Sequence, residues 1–75
     1  MITPDQSRAA RALLRWSIPD LAKASRVSIS TINGFELERR SPIPANITAI
    51  KAALEAAGVM FIPANGGGPG VRLKQ

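Results

Sequence analysis

The chain has 75 residues, ten Lys and Arg against five Asp and Glu for a net charge of +5, and neither Cys nor His. Without those two residue types, disulfide scaffolds, the common zinc sites, and Cys–His or Ser–His–Asp catalysis are excluded. The excess of positive charge points to a polyanionic partner, nucleic acid ahead of an acidic membrane surface, and the length to one domain with a single small core.

In chain order, MITPDQ lacks the basic and apolar regions of a signal peptide, so a cytoplasmic location is expected. Thr3-Pro4-Asp5-Gln6 has the form of a capping box, with Thr3 as N-cap and Pro4 where no amide hydrogen is needed. It predicts a helix over about 4–15, with Ala10, Leu13 and Leu14 facing inward and Arg8, Arg11 and Arg15 on another face. Ser17 restarts the chain as a second N-cap, with Pro19 and Asp20 in the first turn of a helix over about 18–25 that turns Leu21-Ala22 inward. Ser28 caps a third helix over about 29–37, in which Ile32 and Phe35 point inward. Two short helices joined by so tight a turn form a helix-turn-helix.

The stretch VSISTINGFE is a poor helix former, since β-branched residues, hydroxyls and Gly34 all lower propensity. Beyond Pro42, a helix over about 44–57 sets Ile47, Ile50 and Leu54 on one side and stops at Gly58. The period then changes from 3.6 to 2, predicting strands over about 59–63 and 70–74 around the flexible ANGGGP. The expected fold class is mostly α: one domain, 1–75, of four helices followed by a short C-terminal β-hairpin. No apolar run approaches the roughly 20 residues that cross a bilayer. The apolar stripes are needed for the core, which argues against membrane-surface binding.

Several residues stand at fixed offsets: Arg11 and Leu14, Ser17 with Leu21-Ala22, Val27-Ser28, then Ile32, Phe35-Glu36, Arg40 and Pro42. In this ordered set, covering about Thr3 to Ala57, the chain resembles the lambda-repressor/Cro-type (XRE) helix-turn-helix family. The segment from GVMFI to GVRLK resembles the tail of a compact bacterial subgroup. Three positions depart from the family pattern: Ile18 replaces a phosphate-holding Gln, Arg26 a turn Gly, and Glu38 a Gly at the end of the recognition helix.

The resemblance implies a lambda-repressor-like domain acting as a sequence-specific transcriptional regulator, a repressor, that binds a palindromic operator in duplex DNA as a homodimer. It implies no enzyme activity, no cofactor and no metal. The second motif helix would lie in the major groove, which explains its composition: small polar groups offered to bases displace good helix formers. Base contacts would come from Ile29, Ser30, Asn33 and Gly34, with Asn33 suited to adenine. Phosphate contacts would come from Ser17, Ser28, Arg26, Arg39 and Arg40, with Lys23 and Arg15 as weaker candidates. Arg11 and Glu36 would form a structural ion pair, and Arg8 would be merely exposed.

Some readings stay open at the level of sequence. Ile29 suits either a thymine methyl or the core beside Ile32, and Gly34 either a close approach to DNA or a tolerated helix defect of about 1 kcal/mol. Val59, Phe61, Val71 and Leu73 give the hairpin one apolar face. That face either joins a second copy into a dimer or covers the chain's own helices. A second functional reading is a protein-interaction module, such as an antitoxin, with its partner surface on the hairpin and DNA binding secondary.

Overall fold

A computed structural model describes residues 1–74. It has four helices, α1 (Pro4–Leu14), α2 (Ile18–Ser25), α3 (Ile29–Glu36) and α4 (Pro44–Ala56), followed by strands β1 (Val59–Ile62) and β2 (Gly70–Leu73) in one antiparallel hairpin. The mostly α class with a terminal hairpin is therefore the one observed.

The caps read from sequence are in place. Thr3 Oγ1 accepts from the Gln6 amide at 3.1 Å while Gln6 Oε1 accepts from the Thr3 amide at 2.9 Å. Ser17 and Asp20 make the same reciprocal pair at 3.2 and 2.9 Å, and Ser28 Oγ accepts from the Thr31 amide at 3.1 Å. Helix α2 ends at Ser25 as expected, and α1, α3 and α4 each end one residue sooner; left-handed residues close or follow the helix ends. Arg15 (φ 56°) ends α1, Arg26 (φ 61°) ends α2, and Glu38 (φ 59°) follows α3. After α4 the left-handed residue is Gly58, φ 108°, as its place in the sequence predicts.

The core is built from Ala10, Leu21, Val27, Ile32, Phe35, Ile47, Ile50 and Leu54, closed at its edges by Ile2 and Val59. Leu13, expected to face inward, is 42% exposed. The inner face of α1 is instead Gln6, Ser7, Ala10 and Leu14, because Ser7 and Arg11 are turned toward a buried carboxylate on α3. That rotation leaves Leu13 at the rim.

Of the two open readings of the hairpin, its packing within the chain favours the cover over its own helices. Its register opposes Val59 to Leu73 and Phe61 to Val71, so these four side chains share a face. Val59 is 1% exposed, and Phe61 and Val71 pack on the same core as the helices. Phe61 and Val71 are half-buried, and Leu73 is 37% exposed. A two-stranded hairpin is marginal alone, and it packs on its own α4, adjacent in sequence, and on α1, adjacent in space. Gln6 fastens it there: its buried side-chain amide donates to the carbonyls of Ile62 at 3.2 Å and Gly70 at 3.0 Å. No helix among the described residues is long and apolar enough to cross a membrane.

Candidate nucleic-acid interface

Helices α2 and α3 pack on each other across Arg26-Val27-Ser28. Val27 is buried and pins the turn to the core, while Arg26 on its outer side is exposed. Helix α3 buries Ile32, Phe35 and Glu36 and is held from that side alone. Opposite them, at helical spacing, lie Ser30, Asn33, Gly34 and Leu37. Ser30 and Asn33 are exposed and Leu37 is 50% exposed. Ile29 is 52% exposed and takes no part in the core, so it does not cover the core beside Ile32.

The one charge on α3 is Glu36, and it is spent internally. Its side chain is 2% exposed. Oε2 accepts from Arg11 Nε at 2.9 Å and from the Ser7 hydroxyl at 2.6 Å, and Oε1 accepts from Arg11 Nη2 at 2.6 Å. Arg11 Nη1 also donates to the Trp16 carbonyl at 3.0 Å. The hydrogen bonds that Arg11 donates to Glu36 raise the Arg11 pKa, partly countered by burial. The expected ion pair is therefore present, with Ser7 as a third member that the sequence did not reveal. Arg8, expected merely to be exposed, bridges Asp5 and the Glu36 carbonyl. Its i, i+3 spacing to Asp5 was the available signal.

The cations bracket α3. Arg26 precedes it, Arg39 and Arg40 follow it, and Lys23 stands on α2. Among the described residues only Arg8 and Arg11 form ion pairs with carboxylates, so these four guanidinium and ammonium groups are unpaired. At the amino end of α3, Ser28 Oγ satisfies the Thr31 amide and donates to Thr31 Oγ1 at 2.9 Å. The first amides of the helix stay available to an acceptor such as a phosphate. Ser17 is less suited to that role than its sequence position implies. Its amide already donates to the Asp20 carboxylate, whose pKa is held below the ordinary range first by that bond and then by the Ser17 hydroxyl. The Ser17 hydroxyl is likewise engaged with Asp20, accepting from its amide at 3.2 Å and facing its carboxylate.

At the carboxyl end the chain closes in a Schellman turn. The Glu38 amide donates to Phe35 O at 3.0 Å and the Arg39 amide to Gly34 O at 2.8 Å, and Arg40 adds a second bond to Gly34 O at 3.2 Å. This reversal lays the Arg40 side chain over Gly34. Gly34 thus admits a close approach, but the group that approaches is an arginine of the same chain. Pro4, Phe35, Glu38, Arg39, Arg40 and Ser41 line a shallow groove beside this turn. No protein-family model and no curated protein matches the chain.

Proposed function

We propose that this chain is a sequence-specific duplex-DNA-binding protein, a transcriptional regulator of the lambda-repressor/Cro type acting as a repressor from the cytoplasm. The observation that carries the reading is the outer face of α3. It offers neutral hydrogen-bonding side chains, Ser30 and Asn33, with unpaired cations before and after it and its own carboxylate neutralised beneath. Such a face brings no exposed charge of its own into a major groove, while the arginines at its two ends, which outnumber the exposed Glu38 beside them, hold phosphates and fix the register. Ile29 would meet a thymine methyl and Asn33 an adenine edge. The runner-up, a partner-binding module using the hairpin, is disfavoured because that apolar face already covers α1 and α4. A palindromic site read by two copies remains part of the proposal, with the contact between copies lying outside Val59, Phe61 and Val71.

Selection of bound sites from random-sequence duplexes tests this. A single enriched consensus is expected. Asn33→Ala should relax one of its positions by about 1–3 kcal/mol. Arg39→Ala should weaken binding to all sequences alike and lower the salt slope by about one. Enrichment of no sequence over the starting pool would refute the proposal.

A further inference from the structure

Glycine is the weakest ordinary helix former, yet Gly34 sits within α3 on its outward face, in the last turn, one turn after Ser30. Its φ is not left-handed, so the backbone conformation does not demand it. Its neighbour does. A Cβ at position 34 would stand 3.3 Å from each of Cβ, Cδ and Nε of Arg40, tighter than ordinary van der Waals contact. The stem of Arg40 therefore lies flat on the glycine, and both the Arg39 and Arg40 amides are tied to the Gly34 carbonyl beneath it. The guanidinium consequently departs from the place on the helix where a side chain at position 34 would have been. No carboxylate among the described residues pairs with it.

We infer that Arg40 is the missing side chain of position 34: it reads a guanine in the major groove from the carboxyl-terminal part of the α3 face, and is not the phosphate contact that its place after the helix suggests. The inference rests on the DNA-binding reading above. A guanidinium fork matches the O6 and N7 acceptors of guanine in a bidentate pair, which the compact ammonium of lysine does not reproduce with the same geometry. Carrying the arginine on the following turn, with a glycine below it, brings this long side chain to the helix surface already laid down and partly ordered. Less conformational freedom is then lost on binding.

The experiment is binding-site selection repeated with Arg40→Ala, Arg40→Lys, Gly34→Leu and Arg39→Ala, each checked for folding by thermal melting. The wild-type consensus should contain a guanine whose preference falls about 5- to 150-fold in Arg40→Ala, with Arg40→Lys losing most of it too. Gly34→Leu should relax the same position, because its side chain must occupy the surface that Arg40 covers. Arg39→Ala should keep the consensus. Retention of the full consensus by Arg40→Lys would overturn the inference. So would uniform weakening by Arg40→Ala with a salt slope lower by about one, which is the signature of a phosphate contact. A consensus unaltered by Gly34→Leu would also overturn it. A wild-type chain that selects no consensus refutes the DNA-binding reading itself, a result distinct from a consensus indifferent to Arg40.

Discussion

Replacing Arg11 by Met strands the Glu36 carboxylate. That group is 2% exposed and would keep only the Ser7 hydroxyl, 2.6 Å from Oε2, as a side-chain partner. Breaking a buried pair from one side costs about 3–5 kcal/mol. The Arg11 side chain keeps 19% exposure, so some of its attraction is screened and the lower end, about 3 kcal/mol, is expected. Glu36→Gln should cost less, about 1.5 kcal/mol: an amide oxygen in place of Oε2 still accepts from Arg11 Nε and Ser7, while the NH2 in place of Oε1 gives up the bond from Arg11 Nη2 and the charge assistance. Moreover, the arginine left behind still reaches the Trp16 carbonyl and water. At roughly 4–8 °C per kcal/mol for a domain of this size, Arg11→Met lowers Tm by about 12–24 °C and Glu36→Gln by about 6–12 °C. The double variant should recover at least about 1 kcal/mol relative to the sum. Urea denaturation in the cold, together with thermal melts followed by circular dichroism, measures all four corners of the cycle. Additivity within about 0.5 kcal/mol, or a larger loss from Glu36→Gln than from Arg11→Met, would refute this account of the pair.

Three other outcomes follow from the packing and the caps. Arg26, at φ 61°, holds a conformation that L side chains disfavour, so Arg26→Gly should stabilise by up to about 1 kcal/mol, seen as a higher Tm; an unchanged or lower Tm would contradict strain at the turn. Val59→Ala should cost about 2 kcal/mol through lost burial and a cavity while leaving the sedimentation coefficient unchanged, whereas an altered oligomeric state at wild-type stability would return Val59 to an interface between copies. The Asp20 carboxyl, lowered by the Ser17 amide and hydroxyl, stabilises the fold above its unfolded pKa, and that contribution fades as pH falls through the lowered folded value. Tm measured against pH should therefore fall less steeply on the acid side in Asp20→Asn than in the wild type, and parallel curves would deny the linkage.

The legible part of this molecule was the part governed by local chemistry. Capping residues Thr3, Ser17 and Ser28, the prolines at helix starts, and Gly58 at a helix end each act on their own few residues, so the elements could be read within a residue or two. The stripe Ile47, Ile50 and Leu54 was equally plain because α4 presents one apolar side. Leu13 misled because the rotation of α1 is set by Glu36, a residue more than twenty positions away, through Ser7 and Arg11. Gln6 hid a second role for the same reason: its cap to Thr3 is local, but its bonds to Ile62 and Gly70 belong to the tertiary fold. The apolar face of the hairpin was visible, and what it covers was not, since alternation reports burial without naming the partner. At the candidate site, the outward residues of α3 followed from helical spacing, whereas the passage of Arg40 over Gly34 depends on a left-handed Glu38 that its residue type disfavours.

The most direct test of the central claim, that the outer face of α3 reads bases, is a map of amide and side-chain NMR shifts on titration with a selected duplex. The account predicts the largest changes at Ser28, Ile29, Ser30, the Asn33 side-chain amide and the Arg40 Nε–H, with smaller ones at Arg26 and Arg39. Residues Val59 to Leu73 should stay near their free positions. Changes concentrated on the hairpin, with α3 undisturbed, would contradict it.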